Sequence, residues 1–264
     1  MSESLRIVLI TQNEPFYLPG FFQTVLSRLG RQVSGLVILA PRLAKQSFWG
    51  TAHKHLCLYG PWDFLILSLR FAFCKLLART KGLLRFKGNY SVENVARQFG
   101  IAVSRPANVN HEESLRWVAG HNPDLIVSIS APQVFRPPLL RLPRLGCINL
   151  HGGPLPRYQG LMPSFWALAN GEKETAATVH RMTEKIDQGE ILAQAPVPIL
   201  PDDTLDALIK RSKATGAQVL LETIERFRAG DVRGAPFDKT QATYFHFPTR
   251  RDRLRFLKAG HRFR

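Results

Sequence analysis

The chain has 264 residues, of which 45% are hydrophobic and 21% are charged. This composition is typical of a globular protein that buries its own core, and it excludes collagen-like, disordered and mini-protein classes. Thirty-six Lys and Arg against 20 Asp and Glu give a formal net charge of +16, which attracts polyanions or anionic surfaces. Half of this excess lies from Asp206 onward, where 14 basic residues accompany 6 acidic ones.

The three cysteines, Cys57, Cys74 and Cys147, are far apart in the sequence and form no C-x-x-C motif. This usage is typical of a reducing cytosol, so we expect a cytoplasmic protein without a disulfide framework or a zinc ribbon. The first ten residues contain an acid and only a four-residue apolar run, so we expect no signal peptide. Arg70 and Lys75 interrupt the longest uncharged stretch, and no transmembrane segment is therefore predicted.

Short β-rich runs alternate with longer segments of helical periodicity along the chain. In chain order the patterns predict strand 5–10, helix 16–28, strand 33–39, helix 62–77, helix 92–99, strand 101–104, helix 112–119 and strand 124–130. After a proline-rich stretch they predict strand 147–150, helix 163–170, strand 176–182, strand 190–199 and helix 205–228. Such alternation predicts an α/β fold with a doubly wound, mainly parallel sheet and a short helical and extended basic C-terminal tail.

A polar pair stands at the end of the predicted strand 147–150. Asn149 and His151 are two residues apart, so both side chains lie on one face of a strand. Glycines and prolines follow and fix an irregular loop, at the edge of a parallel sheet where ligands bind. A lone buried histidine is usually a packing residue, but Asp187, in a loop between two later strands, offers an acid that orients His151 and favours its imidazolium form. Asp187 is otherwise an ordinary turn residue.

These residues resemble the folate-dependent formyltransferases, a family that includes glycinamide ribonucleotide, methionyl-tRNA and sugar N-formyltransferases. The resemblance covers about residues 5–199 and is strongest from Pro123 onward. It rests on motifs at the family's spacing: Asn149-x-His151, the Leu-Pro and Gly160 of the following loop, Thr178-Val179-His180, Ile186-Asp187-x-Gly189 and Ile191-Leu192-x-Gln194. It implies a Rossmann-like catalytic domain over 1–200, with a basic helical insertion at about 44–90, and a C-terminal helix and basic extended tail over 201–264.

The resemblance implies that Asn149, His151 and Asp187 are the catalytic set. An acceptor amine attacks the formyl carbon of 10-formyltetrahydrofolate. Two donors aimed at the formyl oxygen, the His151 imidazolium and the Asn149 amide, stabilise the negative charge that develops there. Asp187 holds His151 and relays the proton from the amine to the departing nitrogen. The reaction requires no metal.

The same resemblance implies two sets of binding residues. The residues that contact the folate donor are Gln133, Val134, Phe135, Ile186 and Gly189. The residues that contact the acceptor are Asn13, Gly153 and Arg157. Phe135 is read equally well as a core residue.

Departures from the family narrow the acceptor. Gly153 replaces the serine that is usual there, and the first turn has no glycine-rich phosphate cradle, which disfavours a phosphoribosyl acceptor. The 35 residues from Gly230 onward are too few for the C-terminal barrel of methionyl-tRNA formyltransferases, so tRNA is disfavoured. We therefore expect an amino sugar, nucleotide- or lipid-linked, that is used in cell-surface polysaccharide synthesis. A methionyl-tRNA formyltransferase-like enzyme and a non-catalytic folate- or RNA-binding protein that keeps the fold are the alternatives.

Two basic segments have open interpretations. The stretch 62–87 mixes cations with phenylalanines and is either a peripheral contact with an anionic membrane or a helix packed on the domain with its cations reaching water. At 100° per residue its cations form no single basic face. The stretch 250–255 is either a polyanion-binding segment or, more simply, solvated surface.

Overall fold

The structure is a computed structural model, and it describes residues 5–40, 48–80 and 90–264. Its strands are β1 (Ile7–Gln12), β2 (Val33–Leu39), β3 (Val103–Ser104), β4 (Leu125–Ile129), β5 (Cys147–His151), β6 (Gln159–Gly160), β7 (Glu174–Arg181), β8 (Ile191–Pro198) and β9 (Tyr244–Phe245). Its α-helices are α1 (Leu18–Leu29), α2 (Phe48–Thr80), α3 (Val92–Gln98), α4 (Glu112–Gly120), α5 (Pro137–Leu140), α6 (Pro163–Ala169), α7 (Leu205–Arg228) and α8 (Arg250–Lys258).

Seven strands form one central sheet in the order β3-β2-β1-β4-β5-β7-β8. The first five are parallel, and β7 and β8 are antiparallel to their neighbours at one edge. A separate pair joins β6 to β9 in parallel. The predicted fold class, a mainly parallel α/β sheet with helices on both faces, is therefore confirmed.

The sheet separates two hydrophobic clusters because alternate residues of a strand point to opposite faces. In β1, Ile7 and Leu9 belong to the larger cluster, whereas Val8 and Ile10 belong to the smaller one. All four are fully buried, which is why the parallel strands read as continuous apolar runs rather than alternating ones. The core thus holds β5 inside the sheet, between β4 and β7, and the chain leaves β5 at the carboxyl end of the parallel strands.

The helical part of the predicted C-terminal tail lies at Arg250–Lys258. Its residues form α8, which begins with a capping box in which the Thr249 side chain and the Asp252 carboxylate satisfy each other's backbone N–H groups. Phe256 is fully buried and stacks on Phe165 with ring centroids 4.9 Å apart. Phe256 therefore fixes α8 to the domain.

The predicted helix 62–77 is the C-terminal part of the longer helix α2. Gly60 has a φ of 75° and precedes Pro61, so α2 is two helical segments joined at a kink. By length and composition alone, one helix among the described residues, spanning Trp49–Arg79, is long and apolar enough to cross a membrane, which corrects the expectation that Arg70 and Lys75 exclude one. The parts of the predicted insertion at 44–47 and 81–89, with their cations, lie outside the described residues.

Candidate active site

Two neighbouring strands bring together the polar groups at the C-terminal end of β5. Asn149 and His151 project from β5, and the antiparallel register of β7 places His180 opposite Asn149 and Thr178 opposite His151. The Asn149 amide donates to Nε2 of His180 over 3.1 Å, and Nδ1 of His180 donates to the Arg181 carbonyl over 2.8 Å. Asn149 and His151 therefore lie together at the end of β5, as their two-residue spacing predicts. His180 of β7 adds a second histidine beside them.

His151 is buried, and each of its ring nitrogens faces a different group. Nε2 donates to the Tyr158 carbonyl over 2.7 Å, which fixes the orientation of the ring. Nδ1 lies 3.7 Å from Oδ2 of Asp187. Burial lowers the pKa of His151 below its usual range, and the negative charge of Asp187 only partly opposes this effect. The resting ring is therefore neutral at pH 7, although Asp187 acts in the expected direction.

Asp187 lies between the two histidines, in the loop that joins β7 to β8. Its Oδ1 is 3.5 Å from Nε2 of His180, and its Oδ2 accepts from the Gly160 N–H over 2.9 Å. Burial favours a raised pKa for this carboxyl, but His151, His180 and the Gly160 amide together lower it to about 2. Asp187 is thus a fixed negative charge beside His151. Its φ of 53° is left-handed, so the loop holds the residue in a strained conformation.

Hydrogen bonds tie the loop after β5 to β7 and β8. The Thr178 hydroxyl donates to the Gly153 carbonyl over 2.7 Å. The Gln194 amide donates to the Thr178 hydroxyl over 2.8 Å and to the Leu155 carbonyl over 2.9 Å. These bonds fix the loop that supplies the Tyr158 carbonyl to His151.

Gly153 and Gly189 are required by close packing. A side chain at Gly153 would come within 2.9 Å of Cβ of Pro163 and 3.1 Å of Nε2 of His151. A side chain at Gly189 would overlap the Arg181 carbonyl oxygen. The two glycines therefore let backbone approach the site, and the serine usual at the first position does not fit this loop.

Lys213 is a charged group near the site that the sequence analysis missed. It projects from α7, and its ammonium group donates to the Ser130 hydroxyl, just after β4, over 2.8 Å. Burial lowers the pKa of Lys213 to about 8, and its positive charge in turn lowers the pKa of His151. No local sequence signal indicates this residue, because α7 is distant in the chain and reaches the sheet edge only through the fold.

The residues expected to contact the donor differ in their surroundings. The Gln133 side chain accepts from the Val109 N–H over 2.8 Å and donates to the Ala107 carbonyl, so it holds a neighbouring loop. Phe135 is buried in the smaller core cluster, as its alternative interpretation supposed. The remaining apolar side chains of this set are exposed at positions Val134 and Ile186.

The residues expected to contact the acceptor make contacts within the protein. The Asn13 carboxamide accepts from the Val92 N–H, at the start of α3, over 3.2 Å. The Arg157 guanidinium lies 3.7 Å from the Glu172 carboxylate and over the ring of Tyr158. Among residues 5–40, 48–80 and 90–264, no group of three or more His, Cys, Asp or Glu side chains is arranged to hold a metal ion.

The family model described as formyl transferase matches residues 77–224 of the chain. Methionyl-tRNA formyltransferase of Kosmotoga olearia is 36% identical over 163 residues, which are 62% of this chain and 52% of that protein. The enzyme of the same name from Citrifermentans bemidjiense is 40% identical over 141 residues, 53% of this chain and 44% of that protein. The chain thus spans about half the length of the curated relatives it matches.

Two solved structures share the fold. An N-formyltransferase from Helicobacter canadensis, in complex with folinic acid and dTDP-3-aminofucose, matches with a TM-score of 0.57 at 15% identity over 92% of this chain and 71% of that one. Glycinamide ribonucleotide transformylase 1 from Symbiobacterium toebii matches with a TM-score of 0.59 at 22% identity over 90% and 96% of the two chains. At these identities the likeness concerns the fold alone.

Proposed function

Because the chain belongs to the folate-dependent formyl transferase family, we propose that it is an enzyme that transfers a formyl group from 10-formyltetrahydrofolate to a primary amine. One observation carries the proposal: Asn149, His151 and Asp187 converge at the carboxyl end of β5, with a neutral histidine facing an ionised carboxylate 3.7 Å away. Burying an ionised carboxylate beside a histidine opposes folding, so packing alone does not explain the pair.

The donor supplies an activated formyl group. The residues of the chain stabilise the charge that develops on it and transfer the proton. The nitrogen of the acceptor forms a bond to the formyl carbon, and the bond from that carbon to N10 of the folate breaks. The Asn149 amide keeps one N–H after donating to His180, and we assign this N–H to the formyl oxygen, where negative charge develops. Removing one such donor typically costs about 10² to 10³ in rate.

We assign the proton to His151 rather than to Asp187, because the pKa of Asp187 is lowered to about 2 and burial keeps His151 neutral and able to accept a proton. Its Nε2 is occupied by the Tyr158 carbonyl, so Nδ1 is the nitrogen that takes the proton from the attacking amine. The imidazolium that forms lies beside Asp187, whose negative charge stabilises it, and the proton then passes to the departing N10. The resting site is neutral at His151, and the charged form exists only during the reaction.

The proposed donor site uses both side chains and backbone. A pterin ring requires an apolar slot edged by fixed polar groups, and the exposed side chains of Val134 and Ile186 suit its apolar edges. Gln133 and Phe135 contribute through the backbone they position, and Gly189 through the close packing of its loop on β7.

For the acceptor we propose an amino sugar, nucleotide- or lipid-linked, of the kind used in polysaccharide synthesis. The carboxylate of Glu14 accepts from the backbone N–H groups of Tyr17 and Leu18 at the start of α1, where a phosphoribosyl group would otherwise bind. The C-terminal segment covers the loop after β5, where Phe245 stacks on Tyr158 with ring centroids 5.0 Å apart. Asn13, Gly153 and Arg157 remain our proposed acceptor contacts.

A methionyl-tRNA acceptor is the second candidate, and the identity to proteins of that name favours it. The strongly basic C-terminal part of the chain is compatible with tRNA, but it equally attracts a nucleotide sugar. The two differ in salt dependence, since binding of a polynucleotide weakens steeply with added salt.

We further propose that residues 1–200 carry the chemistry and that 201–264 support them. Helix α7 packs on β7 and β8, and its buried side chains belong to the larger core cluster. The three cysteines are unpaired thiols, which is compatible with a cytoplasmic location.

The test is an acceptor panel with the purified protein. Release of tetrahydrofolate from 10-formyltetrahydrofolate is measured with nucleotide-linked amino sugars and with methionyl-tRNA, and binding of 5-formyltetrahydrofolate is measured separately. Release with an amino sugar supports the proposal in full. Release with methionyl-tRNA alone would show that tRNA, and not an amino sugar, is the acceptor. A protein that neither binds 5-formyltetrahydrofolate nor turns over 10-formyltetrahydrofolate would contradict the proposed reaction.

A further inference from the structure

The C-terminal part of α2 presents a continuous apolar face to solvent. Trp62, Leu65, Ile66, Leu69 and Phe73, here called the apolar stripe, are between 41% and 77% exposed. They are spaced i, i+3, i+4, i+7 and i+11, which places them within an arc of about 100° on one side of the helix. Contiguous exposed apolar surface of this kind marks an interaction site in a soluble protein.

The opposite face of α2 is anchored to the domain. Leu58, before the kink at Gly60, and Cys74, after it, are buried. The ammonium group of Lys75 donates to the Asn13 carbonyl over 3.5 Å, and the Asn94 side chain donates to the Ala78 carbonyl over 2.8 Å. The helix therefore lies along the surface of the domain, and its stripe points away from it.

Cations border the apolar stripe on both sides. At 100° per residue Arg70 lies beside one edge of the stripe and Arg79 beside the other, and both are exposed. Asp63 is the one acid in the sequence of α2, and it is ion-paired with Arg264. Helix α8, which packs against α2, adds further exposed cations: Arg250, Arg251, Arg255 and Lys258.

We propose that the apolar stripe inserts into the surface of an anionic lipid bilayer, with the helix axis in the plane of the membrane. An apolar stripe flanked by Lys and Arg is the pattern that binds such surfaces, because the apolar side chains enter the acyl boundary while the cations meet the headgroups. A second copy of the chain suits the stripe less well, because self-association through it would bring two sets of cations together on chains of charge +16.

The contacts of α2 favour lying on the membrane over crossing it. A helix that crosses would have to leave the domain and expose Leu58 and Cys74, and it would carry Asp63, Arg70 and Lys75 into hydrocarbon. The kink at Gly60 also interrupts the helix near its middle. This inference is independent of the proposed reaction, since it depends only on α2 and its surroundings.

Vesicle flotation of the full chain tests the proposal. We expect binding to vesicles of phosphatidylcholine with 30% phosphatidylglycerol, little binding to phosphatidylcholine alone, and weaker binding at high salt. Leu69→Glu places a charge in the stripe and should weaken binding at least about tenfold. Leu200→Glu is the matched control, because Leu200 is 50% exposed and lies in the loop after β8, and it should bind as the unaltered protein does.

A second readout locates the contact. Lipids brominated on their acyl chains should quench tryptophan fluorescence in the unaltered protein, and Trp62→Phe should remove most of that quenching while flotation persists. Equal flotation of the Leu69→Glu and unaltered proteins, or no flotation with anionic vesicles, would overturn the proposal. Resistance to extraction at alkaline pH would assign a membrane-spanning helix instead, and a dimer in solution that Leu69→Glu dissociates would assign the stripe to a second copy.

Discussion

Soluble proteins usually bury apolar side chains and expose charged ones. The carboxyl end of β5 and the outer face of α2 depart from this distribution in opposite ways. At β5, ionisable groups are buried: His151, His180 and Asp187 are almost wholly removed from water. On α2, large apolar side chains are exposed. Burying a charge and exposing an apolar face both oppose folding. Each region therefore has an arrangement that stability alone does not explain, and in each the arrangement indicates what the region contacts.

The two regions also differ in how they are held. At the site, ring nitrogens, carboxylate oxygens and loop carbonyls have defined hydrogen-bond partners, so a small displacement breaks specific bonds. The side chains of the apolar stripe are exposed, and α2 is held to the domain only by its opposite face. Substitutions at the site should therefore alter the reaction or the fold, whereas substitutions on the stripe should alter neither.

The largest effect is expected from removing the fixed charge at the site. Asp187→Asn keeps the shape of the side chain but leaves no negative charge to stabilise the imidazolium of His151, so turnover should fall about 10²-fold or more. Steady-state release of tetrahydrofolate measures the effect, with Asp238→Asn on the exposed 3₁₀ turn at Lys239–Gln241 as the control. Unchanged turnover in Asp187→Asn would remove Asp187 from the mechanism.

The charge of Lys213 should shift the pH dependence of the reaction. Its positive charge lowers the pKa of His151, so Lys213→Met should raise that pKa. Neutral His151 is the resting form that accepts the proton, and activity is lost as the pH falls through its pKa. The acid limb of the profile of kcat/KM against pH should therefore move to higher pH in Lys213→Met. A shift to lower pH would contradict the assigned arrangement of charges.

The bonds that fix the loop after β5 should contribute to stability. Thr178→Val removes the hydroxyl that bonds to the Gly153 carbonyl and to the Gln194 amide, and leaving these buried groups without partners should cost about 1 to 3 kcal/mol. Chemical denaturation measures the change in the free energy of unfolding. Thr24→Val, on the exposed face of α1, is the matched control and should change it little.

The smallest effect is expected on the stripe. Leu69→Glu should change the free energy of unfolding by less than about 0.5 kcal/mol, because the side chain is exposed. Leu58→Ala, on the buried face of the same helix, should cost about 2 to 5 kcal/mol. A similar loss in the free energy of unfolding for the two variants would show that the stripe is packed in the folded protein. It would then not be an exposed face that contrasts with the buried site.

Much of the fold follows from local sequence patterns. Strand Val33–Leu39 and helix Leu205–Arg228 have the predicted bounds, because each combines strong periodicity with clear terminal residues such as the Thr204 cap of α7. The bounds of α8 do not follow from the sequence pattern, because its many arginines obscure the capping box at Thr249 and the buried side chain of Phe256. For α2 the sequence left a membrane contact and a packed helix open, since an apolar periodicity does not tell whether a face meets a core or something outside the chain.

The site was predicted in part. Asn149 and His151 follow from the two-residue period of a strand, and the structure places Asp187 beside His151 as expected. The neighbours that adjust the site, His180 and Lys213, come from β7 and α7, and their positions depend on strand register and helix packing. Those are set by the whole fold, so no spacing in the sequence gives them.

The central claim is that His151 carries the proton during formyl transfer, and one comparison tests it most directly. Binding of 5-formyltetrahydrofolate and turnover of 10-formyltetrahydrofolate are measured side by side for the unaltered protein and for His151→Ala, with His53→Ala on the exposed surface of α2 as the control. We predict that His151→Ala binds the folate normally and loses about 10² to 10³ in turnover. Unaltered turnover in a folded His151→Ala protein would contradict the account.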